Sequence, residues 1–116
     1  MRSLLKSKIH GATVTATRVD YVGSITIDRK LIEACGLSLY EKVLVSNVTN
    51  GNRFETYVIE GADGVVELNG AAAKLASVGD KVIVMAFGLF DEREVGKHKP
   101  RIAVVDARNK VTSLLP

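Results

Sequence analysis

Apolar and polar positions along this chain alternate over short stretches that are interrupted by Gly, Asn and Asp. That pattern predicts strands separated by turns rather than long helices. Residues 12–19 set Thr13, Thr15 and Thr17 against Val14 and Ala16, the two-residue period of a half-buried strand. Residues 24–27 predict a second short strand. Asp28 suits a helix cap, so residues 29–35 read as a brief helix with Leu31, Ile32 and Cys35 inward and Gly36 at its end. Residues 42–49 and 52–60 are strand-like on either side of Asn50-Gly51, a pair that favours a tight primed hairpin turn. Asp63-Gly64 predicts a turn before a strand over 65–68, and Asn69-Gly70 opens an Ala-rich helical turn over 71–76. Val78-Gly79-Asp80 leads into an apolar strand over 81–87, and residues 101–106 form the last clear strand. The charged stretch 91–99 reads as an exposed loop, and Lys6 as a solvated side chain. Many short strands and two short helices imply a mostly-β barrel.

At 116 residues the chain has room for a single domain, whose stability margin is thin unless subunits associate. Apolar residues at 47% and charged residues at 25% match a soluble globular protein. The net charge of +3 is spread out, and no Trp and 5% aromatics leave few stacking groups, which argues against a nucleic-acid binder and suits a small anionic ligand. Cys35 is the only cysteine, so an intramolecular disulfide is excluded. The longest apolar run, 82–87, is too short to span a membrane as a helix. Residues 1–10 alternate Lys with apolar residues and lack the apolar core of a signal peptide, so a cytoplasmic location is expected. His10 and His98 stand far apart without a CxxC or HExxH motif, so no metal site is expected. Pattern and composition alone reach no further than a small soluble β-barrel.

Four motifs change that picture. Lys8-Ile9-His10, the octapeptide from Tyr21 to Asp28 (YVGSITID), the octapeptide from Asn50 to Tyr57 (NGNRFETY) and the hexapeptide from Leu68 to Ala73 (LNGAAA) fall in one order and spacing. Together they resemble the bacterial aspartate 1-decarboxylases, over about residues 5–109. Gly11 stands where many relatives carry a basic residue, and the tail after Asn109 matches poorly. The resemblance implies a double-psi β-barrel, a homotetramer, and a pyruvoyl cofactor that the chain makes from its own Ser24. It implies conversion of L-aspartate to β-alanine and carbon dioxide for pantothenate synthesis.

The chemistry explains why such a cofactor is needed. Loss of an α-carboxylate leaves a carbanion that no ordinary side chain absorbs, and a ketone that condenses with the substrate amine provides the electron sink. By resemblance, the Ser24 hydroxyl attacks the Gly23 carbonyl, and the chain separates into residues 1–23 and 24–116. Glycine at 23 leaves the attack unblocked and would accept a strained backbone. Thr56 would stabilise the oxyanion or orient Gly23 during cleavage and border the substrate. Tyr57 would protonate the α-carbon, since a phenol is protonated at neutral pH. Arg53 and Lys8 would hold the substrate carboxylates, while Asn69, Gly70, Ala71 and Ala72 would border the pyruvoyl group. Anions are favoured at the opening of the short helix at Gly70. His10 and Tyr21 stay without a firm role. On a regular strand Arg53 and Tyr57 share a face and Thr56 points the other way, so either the strand bulges or these residues serve different faces or subunits. Whether cleavage is spontaneous or needs a helper protein stays open. So do a pyruvoyl enzyme for another amino acid and a non-catalytic barrel module.

Overall fold

The computed structural model describes residues Met1–Pro116 as a single domain. Nine strands form one continuous hydrogen-bonded sheet: β1 (Arg2–Thr13), β2 (Ala16–Arg18), β3 (Ser24–Asp28), β4 (Lys42–Asn47), β5 (Arg53–Gly61), β6 (Val66–Asn69), β7 (Lys81–Phe90), β8 (Arg101–Val105) and β9 (Val111–Leu115). Their spatial order is β2-β6-β3-β5-β4-β7-β1-β8-β9. Three pairs are parallel, β1·β8, β2·β6 and β3·β5, which a simple up-and-down meander cannot contain. The sheet curls on itself where β1 runs on into β2: Val14 N–H donates to Asp80 O, and Thr15 N–H to Val66 O. This is the mostly-β single domain with short helices that the sequence implies, and its parallel crossovers agree with a double-psi barrel.

Alternation decides which side chains fill the barrel. Ile9 and Ala12 of β1, Ile25 and Ile27 of β3, Val43 and Val45 of β4, Val58 of β5, Leu68 of β6, and Val82 and Val84 of β7 all belong to one buried cluster. The helix α1 (Arg29–Cys35) closes one side with Leu31, Ile32 and Cys35, as the sequence predicts. Asp28 caps it by accepting from Lys30 N–H, and Gly36 ends it in the left-handed region at φ 67°. Asp28 also accepts from Gly64 N–H at 2.8 Å, which ties the helix start to the turn before β6. Burial pushes the Cys35 thiol above its ordinary pKa.

Several local expectations are corrected. The strand expected over 12–19 is two strands, because at Val14 and Thr15 the chain leaves its β7 and β8 partners for β6. The N-terminal decapeptide lies almost wholly within β1, the longest strand. The hairpin between β4 and β5 exists, but it is not a two-residue primed turn. Five residues connect the strands; Gly51 alone has positive φ, and Asn47 Oδ1 accepts from the Thr49 and Asn50 amides. A side chain that satisfies turn amides competes with the tight turn. The Ala-rich helical turn is present as a 3-10 helix, Gly70–Leu75, without a side-chain cap. The charged loop contains a helical turn, α2 (Glu92–Val95), held by reciprocal bonds between Asp91 and Glu94. Lys6 is paired with Glu41 at 2.9 Å and donates to Gly36 O, rather than being solvated. The poorly matched tail still forms β9, whose five residues are all exposed along β8. No helix is long and apolar enough to cross a membrane.

Candidate active site

Ser24 of β3 stands directly opposite Asn69 of β6 in an antiparallel pair. Their neighbours Ile25 and Leu68 face the core, so Ser24, Thr26, Asn69 and Glu67 occupy the other face of these strands. Ser24 and Asn69 are nonetheless each only 1% exposed. Here the start of the 3-10 helix folds over the segment that enters β3. At Gly70 the backbone has φ +70°, and an added Cβ would lie 2.7 Å from Gly23 Cα and 3.3 Å from Tyr21 O. Gly70 is therefore required twice, by its backbone conformation and by the close approach of Gly23.

A small polar network fills this contact. The Asn69 side-chain amide donates to Ser24 Oγ and to Thr26 Oγ1, both at 2.9 Å. The Ser24 hydroxyl donates to the Val22 carbonyl at 3.2 Å. A hydroxyl oxygen has two lone pairs, so one remains free on Ser24 after it accepts from Asn69. Asn69 Oδ1 is buried without a partner, an acceptor able to receive one N–H or O–H. Nearby, residues Thr17 to Tyr21 line a shallow cavity of about 460 Å³, and Arg18 pairs with Glu67 at 3.3 Å.

Gly23 does not use the conformational freedom that glycine would allow it. Gly23 lies outside the positive-φ set, and the nearest neighbour to an added Cβ is Asn69 O at 3.9 Å. The steric demand for glycine falls on Gly70 instead, which presses on Gly23 from the opposite strand.

β5 supplies the next layer. Ile25 of β3 pairs in parallel with Val58, the first pair of that ladder, so Ser24, the residue before it on β3, enters the sheet at the level of Tyr57. β5 runs against β4 from Arg53 to Tyr57 with no register shift, so no bulge turns Thr56 and Tyr57 to one face. Tyr57 shares the face of Ser24, and Thr56 points with Phe54 and Val58 toward the barrel interior. Arg53 is exposed on the Tyr57 face, about 13 Å further along the strand at ordinary strand rise.

Lys8 is not brought to Ser24 within the chain. Four strand steps separate β3 from β1, about 19 Å of barrel wall at ordinary strand spacing. It instead joins a row running Ile102, Lys8, Met85, Leu44 and Glu55 across five strands. The adjacent row runs Val104, His10, Ile83, Ser46 and Arg53. Lys8, His10 and Arg53 thus share an outward, largely apolar face, and His10 is remote from the Gly23–Ser24 bond. Tyr21 offers its backbone carbonyl near Gly70 while its side chain is exposed. Ala71 is exposed and Ala72 packs against the core. The network member missed in the sequence is Thr26. Its signal was available, since it lies two residues from Ser24 on a strand and so on the same face.

Comparison with known proteins adds a second, independent line. A family model described as aspartate decarboxylase matches residues 1–112. The chain belongs to the aspartate decarboxylase family. Aspartate 1-decarboxylase of Campylobacter jejuni is 58% identical over 113 residues, covering 97% of this chain and 90% of that protein. The enzyme of the same name from Caldicellulosiruptor bescii is 56% identical, covering 96% and 88%. That from Ruminiclostridium cellulolyticum is 53% identical, covering 95% and 88%. Among solved structures, a rationally designed protein, mkDPBB_sym_86, is similar over 66% of this chain and 91% of that one, with 17% identity and a TM-score of 0.48. Within an aspartate decarboxylase family member, the Ser24–Asn69 network joins two of the four motifs that carried the resemblance, the octapeptide from Tyr21 and the hexapeptide from Leu68.

Proposed function

We propose that the chain cuts itself between Gly23 and Ser24, and that a pyruvoyl group on the 24–116 fragment then decarboxylates L-aspartate. Conversion of aspartate to β-alanine and carbon dioxide, a step toward pantothenate, is the activity of the family to which this lyase belongs. The observation that carries the reading is the buried Ser24 hydroxyl, held between the Asn69 amide and the Val22 carbonyl on the residue that follows Gly23.

The maturation steps balance without an external oxidant. Ser24 Oγ bonds to the Gly23 carbonyl carbon as the C–N bond breaks, turning amide into ester. Loss of the Ser24 α-proton and cleavage of the Cβ–Oγ bond release the Gly23 carboxylate and leave dehydroalanine. Water then converts its enamine to a ketone and frees ammonia. The residues present fit the product: after Oγ departs, Asn69 keeps one amide N–H for the new carbonyl, and its unpaired Oδ1 can accept from the substrate amine. The pyruvoyl group supplies the electron sink for the α-carbanion.

Side chains of the chain do the rest. Tyr57, on the face of Ser24, delivers the proton to the α-carbon. Thr56, two residues before Val58 on β5, steadies the oxyanion during cleavage. Ala71 and Ala72 border the site through the 3-10 helix. Lys8 and Arg53 reach a neighbouring copy's Ser24. Their shared outward face carries Leu44, Ile83, Met85, Ile102 and Val104, apolar surface that a homotetramer would cover. A reducing, cytoplasmic setting suits the free buried Cys35.

Intact mass spectrometry of the protein isolated from a bacterial host tests the reading. The expected result is two fragments split at Gly23/Ser24, the larger ending in pyruvoyl and labelled there by borohydride with aspartate. An uncut chain that produces β-alanine, or label on a lysine, would overturn it. For selectivity, Arg53 can grip the second carboxylate through two parallel hydrogen bonds. Arg53→Ala is expected to lower kcat/KM for aspartate about 10- to 200-fold, from about 1.5–3 kcal/mol per charge-assisted bond. Arg53→Lys should restore part of that, and both variants should still be cut. Full kcat/KM in matured Arg53→Ala would remove Arg53 from the site.

A further inference from the structure

We propose that Thr26 is a positioning residue for the cut at Gly23, acting through the side-chain amide of Asn69; the inference rests on the self-cleavage reading above. The amide nitrogen of Asn69 has two N–H groups, and they go to Ser24 Oγ and Thr26 Oγ1 at 2.9 Å each. Its oxygen has no partner at all. Every bond that orients this buried amide therefore passes through the nitrogen. Thr26 is the one anchor that is not the nucleophile itself. Without it, the amide is held only by the hydroxyl it has to orient. A half-turn about the Asn69 Cβ–Cγ bond would then present Oδ1 to Ser24, changing Ser24 Oγ from acceptor to donor toward Asn69 and moving its free lone pair.

Thr26 is itself fixed by packing. A Cβ added at Gly61 would come within 2.6 Å of the Thr26 γ-methyl, so the bare Gly61 backbone gives that methyl its seat. A β-branched side chain is stiff about χ1, and with the methyl seated on Gly61 the hydroxyl is turned toward Asn69. Gly61 and Thr26 lie on the same face of the parallel β3·β5 pair, through the Thr26–Ile59 register. The chain Gly61, Thr26, Asn69, Ser24 thus runs from a backbone contact to the attacking oxygen.

Two substitutions separate the hydrogen bond from the packing. Thr26→Val keeps the shape and the γ-methyl contact but removes the acceptor; Thr26→Ser keeps the hydroxyl and removes the methyl. The rate of fragment formation, followed by mass spectrometry from freshly made precursor, should fall about two- to tenfold in Thr26→Val, the effect of one neutral hydrogen bond. Thr26→Ser should recover most of the rate, and the melting temperatures of the two precursors should not account for the order. Thr26→Val cutting at the parent rate would overturn the proposal while leaving self-cleavage intact. So would Thr26→Ser being as slow as Thr26→Val, since a retained hydroxyl would then not restore the cut. A parent chain that never cuts would instead overturn the self-cleavage reading.

Discussion

Ser24→Ala is expected to yield a folded, uncut chain with no decarboxylase activity. Alanine offers no oxygen to attack the Gly23 carbonyl, so both the cut and the pyruvoyl group are lost together. The structural cost is small. The Asn69 amide keeps its bond to Thr26, and Val22, whose carbonyl loses the hydroxyl, is exposed and can turn to water. One neutral hydrogen bond contributes about 0.5–1.5 kcal/mol net, well within the margin of a stable domain. Activity should fall to the background of the assay, while circular dichroism and oligomer size stay as in the parent. Ser24→Cys keeps a competent nucleophile and should still be cut. Two fragments, or β-alanine at the parent rate, from purified Ser24→Ala would refute the mechanism.

Gly70→Ala should have the second largest effect, although residue 70 takes no part in the bond-making. Two penalties coincide there. The left-handed backbone at φ +70° costs a non-glycine residue about 1–2 kcal/mol. The new Cβ would also meet Gly23 Cα at 2.7 Å and Gly23 N at 3.0 Å, and both are backbone atoms that no rotamer change can move aside. Reaching an ordinary 3.4 Å contact requires Gly23 to retreat by about 0.7 Å. A misplacement of that order at a reacting centre costs about 10²-fold in rate. Precursor cleavage should therefore slow by about 100-fold, with a lower melting temperature. An Ala at Gly51, which also has positive φ but nothing within 4 Å of its added Cβ, serves as the control for backbone strain alone. Should Gly70→Ala be cut as fast as Gly51→Ala, the pressure of Gly70 on the scissile bond would have no role.

Much of the fold was legible locally. Strand-like runs identified β3, β4, β5 and β8, an apolar run identified β7, and Asp28 with Gly36 bounded α1, because caps and short-range patterns depend on neighbours a few residues away. The errors arose where a distant partner decides the outcome. The switch of Val14 and Thr15 from one set of strands to β6 leaves the alternation unchanged, so the pattern reads as one strand. Asn50-Gly51 has tight-turn chemistry, yet the amides of Asn47, Asn50 and Asn52 all donate to Leu75 O and hold the loop open. The face assignment on β5 was legible from spacing alone, and the absence of a register shift leaves Tyr57 and Thr56 on opposite sides.

The sequence by itself determined the family, through four motifs in order, and with it the aspartate decarboxylase activity. It also determined strand identity, the helix and its caps, and the chemical requirement for an electron sink. Only the tertiary structure decided that Asn69 lies across from Ser24 and donates to its oxygen, since the two are 45 positions apart. It also revealed a steric need for glycine at Gly70 and drew Thr26 into the network. Lys8 and Arg53 it set on the outward side of the barrel wall at a distance from Ser24. The physical reason is the same in each case. Periodicity and propensity report which way a side chain points along its own strand, whereas a catalytic contact depends on which strand lies alongside and in what register.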